Sequence, residues 1–339
     1  MIELRSHQGV PTDTLRGEWE LLLDEDPYGT IFQGPRFLGR WVEVFGHRTD
    51  ARVHSVHRDD RLIGVIAEGH EREGSPTGPI EVRRFLGGTE VTDYLGPVCR
   101  PEDQADVADA YLRYLVKDLD WDELVAGGLA VDSGWAAALR RGAGDHGLMV
   151  FESDIEDVCP RVDLSGGYDG YLSRLPSKQR HELGRKARKL ARDAGELEVV
   201  RVPQEDVLDH LPEFLDLAGE TEPDKAGFFA AEQMRVWFHA LAEEFVHDDI
   251  FRLHQLHVGG LPAAMTVSLV HRGEWGVYNS AFDPTLRQLA PGMVLVGELI
   301  KLAADEGCAV LDLLRGDEPY KYRFGAVDRP VERVTIVRR

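Results

Sequence analysis

The period of the apolar residues switches between two and 3.6 in one fixed order, and that order runs through the chain twice. In the first half, helical patterns over 15–23 and 37–45 precede strand patterns over 52–56 and 62–68, which turn at Asp59-Asp60. Strands over 82–86 and 94–98 follow, then a helix after Pro101, a strand over 123–126, a helix over 134–141 and closing strands over 149–152 and 161–164. The second half reads as a strand over 197–202, helices over 207–217 and 232–245, and a meander over 251–257, 263–270 and 275–282. The meander turns at Gly259-Gly260 and Arg272-Gly273. A helix over 292–304, a strand over 310–314, a short helix and a closing strand over 331–337 complete it.

The duplication lies in the order of elements, not in matching residues. Single cores rarely grow past about 250–300 residues, so 339 residues with 43% hydrophobic content suit two cores. The expected fold class is α/β with mixed sheets in two tandem domains. Their bounds are 1–165 and 196–339, joined by a basic helical linker over 166–195.

Charge narrows the possible partners. The formal net charge is −21, which repels nucleic acid and anionic membranes, so no nucleic-acid partner is expected. The longest nearly apolar stretch, 261–270, is far short of the roughly 20 residues that span a bilayer. The opening Met1-Ile2-Glu3-Leu4-Arg5 has no apolar signal-peptide core, so a cytoplasmic protein without membrane insertion is expected. Cys99, Cys159 and Cys308 are far apart and read as core thiols. His54 with His57, and His254 with His257, stand three apart on strands, which puts each pair on opposite faces. No metal is expected.

One junction can hold an anion. After the meander strand comes Arg287-Gln288-Leu289-Ala290-Pro291-Gly292-Met293, where a helix starts. Helix N-termini carry free N–H groups and positive partial charge. Glycine lets the backbone approach a ligand, and Arg287 adds a cation. The matching junction in the first half carries Glu102-Asp103, which favour the helix dipole but repel a pyrophosphate. The first domain is therefore expected to hold no phosphate-bearing cofactor there.

The residues 287–292 resemble the pyrophosphate motif of the GNAT acyltransferases, in a loose version with a single glycine. The resemblance implies two tandem GNAT-like (acyl-CoA N-acyltransferase) domains, with acetyl-CoA or another acyl-CoA held in the second. The closing run Asp312-Leu-Leu-Arg315-Gly316-Asp317-Glu-Pro-Tyr320-Lys321-Tyr322-Arg-Phe324-Gly325 resembles the CelD/BcsL-like acetyltransferases, associated with cellulose and exopolysaccharide synthesis and distantly related to the FemAB peptidyltransferases. Phe32-Gln-Gly-Pro-Arg-Phe37, Arg84-Phe-Leu-Gly-Gly88 with Asp93-Tyr94, and Leu175-Pro-Ser-Lys-Gln-Arg180 are similar to further stretches of that family. The family often shows a tryptophan and a lysine after the first helix of the second half. Here 220–229 has no tryptophan.

Acyl transfer from a thioester needs a polarised carbonyl, a deprotonated nucleophile and a protonated leaving thiolate. The GNAT resemblance assigns the first task to the meander strand at Tyr278, Asn279, Ser280 and Ala281, which read equally well as a half-buried strand. It adds Arg287, Gln288, Ala290, Pro291, Gly292 and Met293 as the donor site. Tyr320 is a candidate proton donor near the sulfur, its alternative being a packing contact; Tyr322 shares that reading. Lys321 is a candidate for the reacting carbonyl or a surface lysine, and Asp312 a candidate base or a structural cap. Asp93 and Tyr94 are expected to line a cleft that takes the acceptor together with Tyr320 and Lys321.

Against the acidic average, 174–192 holds eight Lys/Arg and one acid. It reads as a solvated helix or as an anion site for the acceptor, with Lys178 and Arg180 in its first turns. The leading function is transfer of an acetyl or related acyl group to a small-molecule or sugar-linked acceptor. The alternatives are FemAB-like aminoacyl transfer to a cell-wall precursor and a non-catalytic ligand-binding scaffold.

Overall fold

The computed structural model describes residues 1–338 apart from 77, 89 and 222, and leaves the side chains of 223–226 undescribed; the tryptophan-free segment 220–229 falls partly outside the described residues. The chain divides into two compact units, Met1–Val158 with Arg329–Arg339, and Cys159–Asp328.

The first unit opens with β1 (Ile2–Gln8), α1 (Thr14–Glu25) and α2 (Pro35–Phe45). Asp13 caps α1 by accepting the Leu15 N–H at 3.1 Å, and Leu15, Trp19 and Leu22 recur on one buried face. β2 (Asp50–Arg58) and β3 (Arg61–Ser75) form a hairpin whose turn residues Asp59 and Asp60 have φ of 49° and 64°. A two-residue hairpin turn of type I′ needs that left-handed pair. β4 (Gly78–Phe85), β5 (Val98–Cys99), α3 (Gln104–Lys117), β6 (Glu123–Ala130), α4 (Trp135–Asp145) and β7 (Met149–Asp163) follow. Of the strand expected over 94–98, only Val98 joins a pair that continues to Cys99, against Val65 and Gly64. The two closing strands expected over 149–152 and 161–164 are one strand.

The second unit contains α5 (Gly167–Arg174), α6 (Ser177–Ala194), β8 (Leu197–Arg201), α7 (Val207–Thr221), α8 (Pro223–Ala230), α9 (Glu232–Phe245), β9 (Phe251–Val258), β10 (Leu261–His271), β11 (Glu274–Phe282), α10 (Pro291–Asp305) and β12 (Val310–Asp312). β13 (Val327–Val337) ends the chain. The expected linker helix is two helices that belong to the second unit. They break at Leu175-Pro176, because proline restricts its predecessor to extended backbone.

Both units build the same sheet. In the first, β1, β2, β3 and β4 are successive antiparallel neighbours, β6 lies parallel to β4, and β13 lies antiparallel to β6. In the second, β8 to β11 are antiparallel, β12 is parallel to β11, and residues 161–163 of β7 are antiparallel to β12. The final strands are exchanged relative to the sequence order. The stretch expected to close the first half, 161–164, completes the second sheet, and the stretch expected to close the second half completes the first. Hydrophobic alternation reports that a segment is a strand, not which strand it pairs with.

Each unit has its own core. Ile66, Phe85, Tyr111, Trp121, Leu139, Val334 and Ile336 belong to the first. Leu256, Trp275, Leu299, Leu311 and Phe324 belong to the second. The first core also encloses a charged network. Glu68 lies 2.8 Å from His54 Nε2 and accepts from Arg83 and the Tyr111 hydroxyl, and Arg83 reaches Asp118 at 2.6 Å. Burial alone would raise the Glu68 pKa, but His54, Arg83 and Tyr111 outweigh it and hold the carboxyl below its ordinary value.

Candidate functional site

The second unit's site is built from β11. Its register with β12 covers only Glu274–Gly276, while its pairing with β10 runs on to Phe282. From Val277 onward the strand therefore has an edge with no registered partner among the described residues. A bulge marks the departure: Val267 faces Asn279 but Ser268 faces Val277, so Tyr278 is an extra residue. Its hydroxyl accepts from Trp237 Nε1 at 2.9 Å, which holds it against α9.

Antiparallel residues alternate in which neighbour their backbone groups face. The Phe282 N–H points off the sheet to Thr221 Oγ1 at 2.9 Å. Ser280, two residues earlier, shares that orientation and turns its N–H and carbonyl to the open edge. Asn279 and Ala281 face β10, opposite Val267 and Met265.

The chain then crosses a short 3₁₀ turn, Pro284–Leu289, to Ala290, whose φ and ψ of 54° and 53° are left-handed. That conformation aims Pro291 into the first turn of α10, where a missing N–H does no harm. The first helical bond joins the Val294 N–H to the Ala290 carbonyl at 3.2 Å. The Gly292 and Met293 N–H groups precede it, so they are helix-terminal donors without an intrahelical acceptor. A Cβ on Gly292 would stand 3.3 Å from the Phe282 ring, so glycine allows the helix to start this close to β11. Arg287 donates to the Thr221 carbonyl and lies 5.1 Å over the Phe282 ring.

These groups converge on a cavity of about 400 Å³. Thr221, Ser280, Arg287, Ala290, Gly292 and Met293 line it, with Phe229 and Phe282 on its apolar side and Glu318, Pro319 and Tyr320 at the loop after β12. Thus Ser280, Arg287, Ala290, Gly292, Met293 and Tyr320 meet in one place. Tyr278, Asn279, Ala281, Gln288 and Pro291 flank it without lining it, and Gln288 is exposed.

The loop after β12 is held by two other candidates. Lys321 is 2% exposed, and its ammonium lies 2.9, 2.8 and 3.0 Å from the carbonyls of Leu314, Arg315 and Gly316. It also pairs with Glu318 at 3.0 Å. An ammonium has three donors, so these are engaged within the loop. Asp312, also 2% exposed, accepts the Leu314 N–H at 2.8 Å and lies 3.4 Å from Arg161. The carboxylate that lines the cavity is Glu318; Asp317 is exposed. The Tyr322 hydroxyl donates to Asp328 at 2.9 Å, and desolvation together with that carboxylate pushes its pKa up to about 12.

Lys178 and Arg180 are exposed on α6, which packs against α10 and the 3₁₀ turn. Arg180 donates to the Leu172 carbonyl at 2.8 Å. Gln179 donates to the Tyr322 carbonyl at 3.2 Å, so the basic helix also braces the loop after β12. In the first unit, Tyr94 is buried with the Arg329 guanidinium 4.8 Å over its ring, and Asp93 is half-buried beside it. Cys99, Cys159 and Cys308 are buried; burial and the nearby Asp26 raise the Cys99 thiol well above its ordinary pKa. Among the described residues, no group of three or more His, Cys, Asp or Glu is arranged to hold a metal. No helix there is long and apolar enough to cross a membrane.

Sequence reasoning missed Thr221, Trp237 and Glu318. Thr221 gave no signal, since a threonine ending a helix is unremarkable until its partner strand is known. Glu318 lay within the closing motif, beside Asp317.

Residues 177–322 match the family model described as the acetyltransferase (GNAT) domain. No curated protein matches the chain. Among solved structures, FemX is similar over 97% of this chain and 96% of its own, with 12% identity and a TM-score of 0.67. A conserved protein of unknown function from Bacteroides thetaiotaomicron is similar over 100% of both chains, at 14% identity and a TM-score of 0.61. The C-terminal DUF2156 domain of a putative lysylphosphatidylglycerol synthetase from Agrobacterium fabrum covers 96% of this chain and 91% of its own, at 13% identity and a TM-score of 0.57. Together with the repeated sheet, these likenesses make the fold a mixed α/β pair of GNAT-like domains.

Proposed function

We propose that the second unit transfers an acetyl or related acyl group from acyl-CoA to an amine or hydroxyl of a small polar or sugar-linked acceptor. The observation that carries this is the meeting, in one cavity, of the open edge of β11 with the free N–H groups of α10. A pantetheine chain is a peptide-like strand with amides of its own, and the Ser280 backbone offers it an N–H and a carbonyl. The Gly292 and Met293 N–H groups and the Arg287 guanidinium suit the pyrophosphate. The match of 177–322 to the GNAT domain supports the same donor.

In the reaction, the acceptor nitrogen or oxygen attacks the thioester carbonyl carbon, the carbon–sulfur bond breaks, and the electron pair leaves on sulfur. The Tyr320 phenol, at the end of the cavity, gives its proton to that thiolate. The Glu318 carboxylate takes the proton that the acceptor loses. Lys321 and Asp312 act as positioning residues, because their polar atoms are already engaged in holding the loop that carries Glu318 and Tyr320. The motifs similar to the CelD/BcsL-like acetyltransferases support a sugar-linked acceptor. Aminoacyl transfer from tRNA asks for a basic surface, which a net charge of −21 does not offer.

The test is thiol release from acetyl-CoA across a panel of amine and hydroxyl acceptors. Acceptor-dependent release is expected, with Tyr320→Phe lowering kcat far more than it changes the acetyl-CoA KM. Release that no acceptor stimulates would overturn the assignment.

A further inference from the structure

The first unit has an opening of the same kind. β4 and β6 pair in parallel only at Val82–Arg84 and Glu123–Val125, as β11 and β12 do at 274–276 and 310–312. After Phe85 the chain leaves β6, and a cavity of about 410 Å³ stands there, within the usual range for small-ligand pockets of roughly 300–1,000 Å³.

Its walls differ in kind from those of the second unit. Trp41 and Phe45, neighbours on α2 with ring centroids 6.0 Å apart, supply the aromatic side. Gly88, at φ +61°, lies against the indole, where a Cβ would stand 3.5 Å from the ring. The polar side alternates acceptors and donors: Glu71 with Arg84, and Glu156 with Arg333. The Glu156 carboxylate is 8% exposed, takes the Gly128 N–H at 2.9 Å and pairs with Arg333 at 2.7 Å. The Arg333 Nε is a buried donor with no hydrogen-bond partner among the described residues.

The charges say what fits. Glu71, Glu90 and Glu156 are set against Arg84 and Arg333, and among the described residues none from a helix's first turn lines the cavity. A pyrophosphate would meet carboxylates and no helix-terminal donors. A compact cation would meet two guanidiniums. A neutral polyol meets neither obstacle, because each hydroxyl both donates and accepts and so serves carboxylate and guanidinium alike. A ring with an apolar face also covers the aromatic wall.

We infer that this cavity binds a neutral hexose-sized sugar ring, with Trp41 as its stacking wall and Glu71, Arg84 and Arg333 as its hydroxyl partners. The site belongs to the first unit alone and does not depend on acyl transfer in the second.

The test is saturation-transfer NMR of the full chain with methyl β-glucoside, glucose 6-phosphate and coenzyme A as probes. Transfer to the glucoside is expected, with ring protons of one face labelled most strongly and no competition from coenzyme A. Glu71→Ala and Arg84→Ala, at half-exposed positions, should each weaken glucoside binding by about tenfold. Trp41→Phe keeps an aromatic wall and should weaken it less. Absence of transfer to the glucoside at tens of millimolar, undiminished binding in both charge variants, or tighter binding of glucose 6-phosphate than of the glucoside would each overturn the inference.

Discussion

Asp312 and Lys321 grip one residue from opposite ends. The Asp312 carboxylate accepts the N–H of Leu314 at 2.8 Å, and the Lys321 ammonium donates to the carbonyl of the same leucine at 2.9 Å. Leu314 has a φ of 55°, a left-handed conformation that disfavours a side chain of its size. The two buried charges therefore hold a strained turn, and that turn sets where Glu318 and Tyr320 meet the cavity.

Replacing Lys321 by Met keeps most of the volume but leaves three carbonyls and the Glu318 carboxylate without their donor. A loss of about 1–3 kcal/mol of stability is expected, read by urea unfolding. Lys321→Met should also lower kcat for acyl transfer. Stability within about 0.5 kcal/mol of wild type would mean the ammonium is not holding the turn.

The exchanged strands give a prediction about truncation. Val331, Val334 and Ile336 are fully buried, and their partners lie on β6 of the first unit. Ending the chain at Asp328 should therefore remove hydrogen-exchange protection from β6 and α3, some 200 residues away in sequence, and spare β9 to β11. Loss of protection confined to 196–328 would show that the last strand belongs to the half it follows.

His254 predicts a pH dependence. It is 1% exposed, and burial, with Arg201 and Arg252 nearby, lowers its pKa to about 3. The unfolded chain, near 6.5, takes up a proton that the folded chain refuses, so stability rises with pH across that window. As pH falls from about 6.5 toward 3, this residue costs about 1.4 kcal/mol per unit. His254→Gln should flatten the slope of unfolding free energy between pH 4 and 6 by about that amount. Identical slopes would place the titrating group elsewhere.

Much of this architecture was legible, and the illegible parts share a cause. The hairpin turns at Asp59-Asp60, Gly259-Gly260 and Arg272-Gly273 all carry positive φ, which the aspartates and glycines signal. The helix expected over 232–245 is α9 as found, and the Pro291-Gly292 start of α10 is read directly from residue chemistry. By contrast, β7 read as two strands because Asp154, Glu156 and Asp157 interrupt its apolar alternation; Glu156 is satisfied by Arg333 and the Gly128 N–H, partners remote in sequence. β1 escaped notice as a half-exposed edge strand with few apolar residues. Lys321 read as either catalytic or superficial, since three carbonyls gathered by a left-handed leucine leave no trace in composition. Local chemistry is written in the sequence; the choice of distant partner is not.

In the proposed reaction the donor's pyrophosphate lies against the start of α10. Gly292 is the position to probe, because a side chain there must displace Phe282 and cover the free N–H groups. Calorimetric titration of acetyl-CoA into the wild-type chain and into Gly292→Val, with circular dichroism showing both folded, is the most direct measurement. One site per chain is expected in the wild type, and affinity reduced at least about tenfold, or 1.4 kcal/mol, in the variant. Equal affinity in the two proteins, or no binding to a folded wild-type chain, would contradict it.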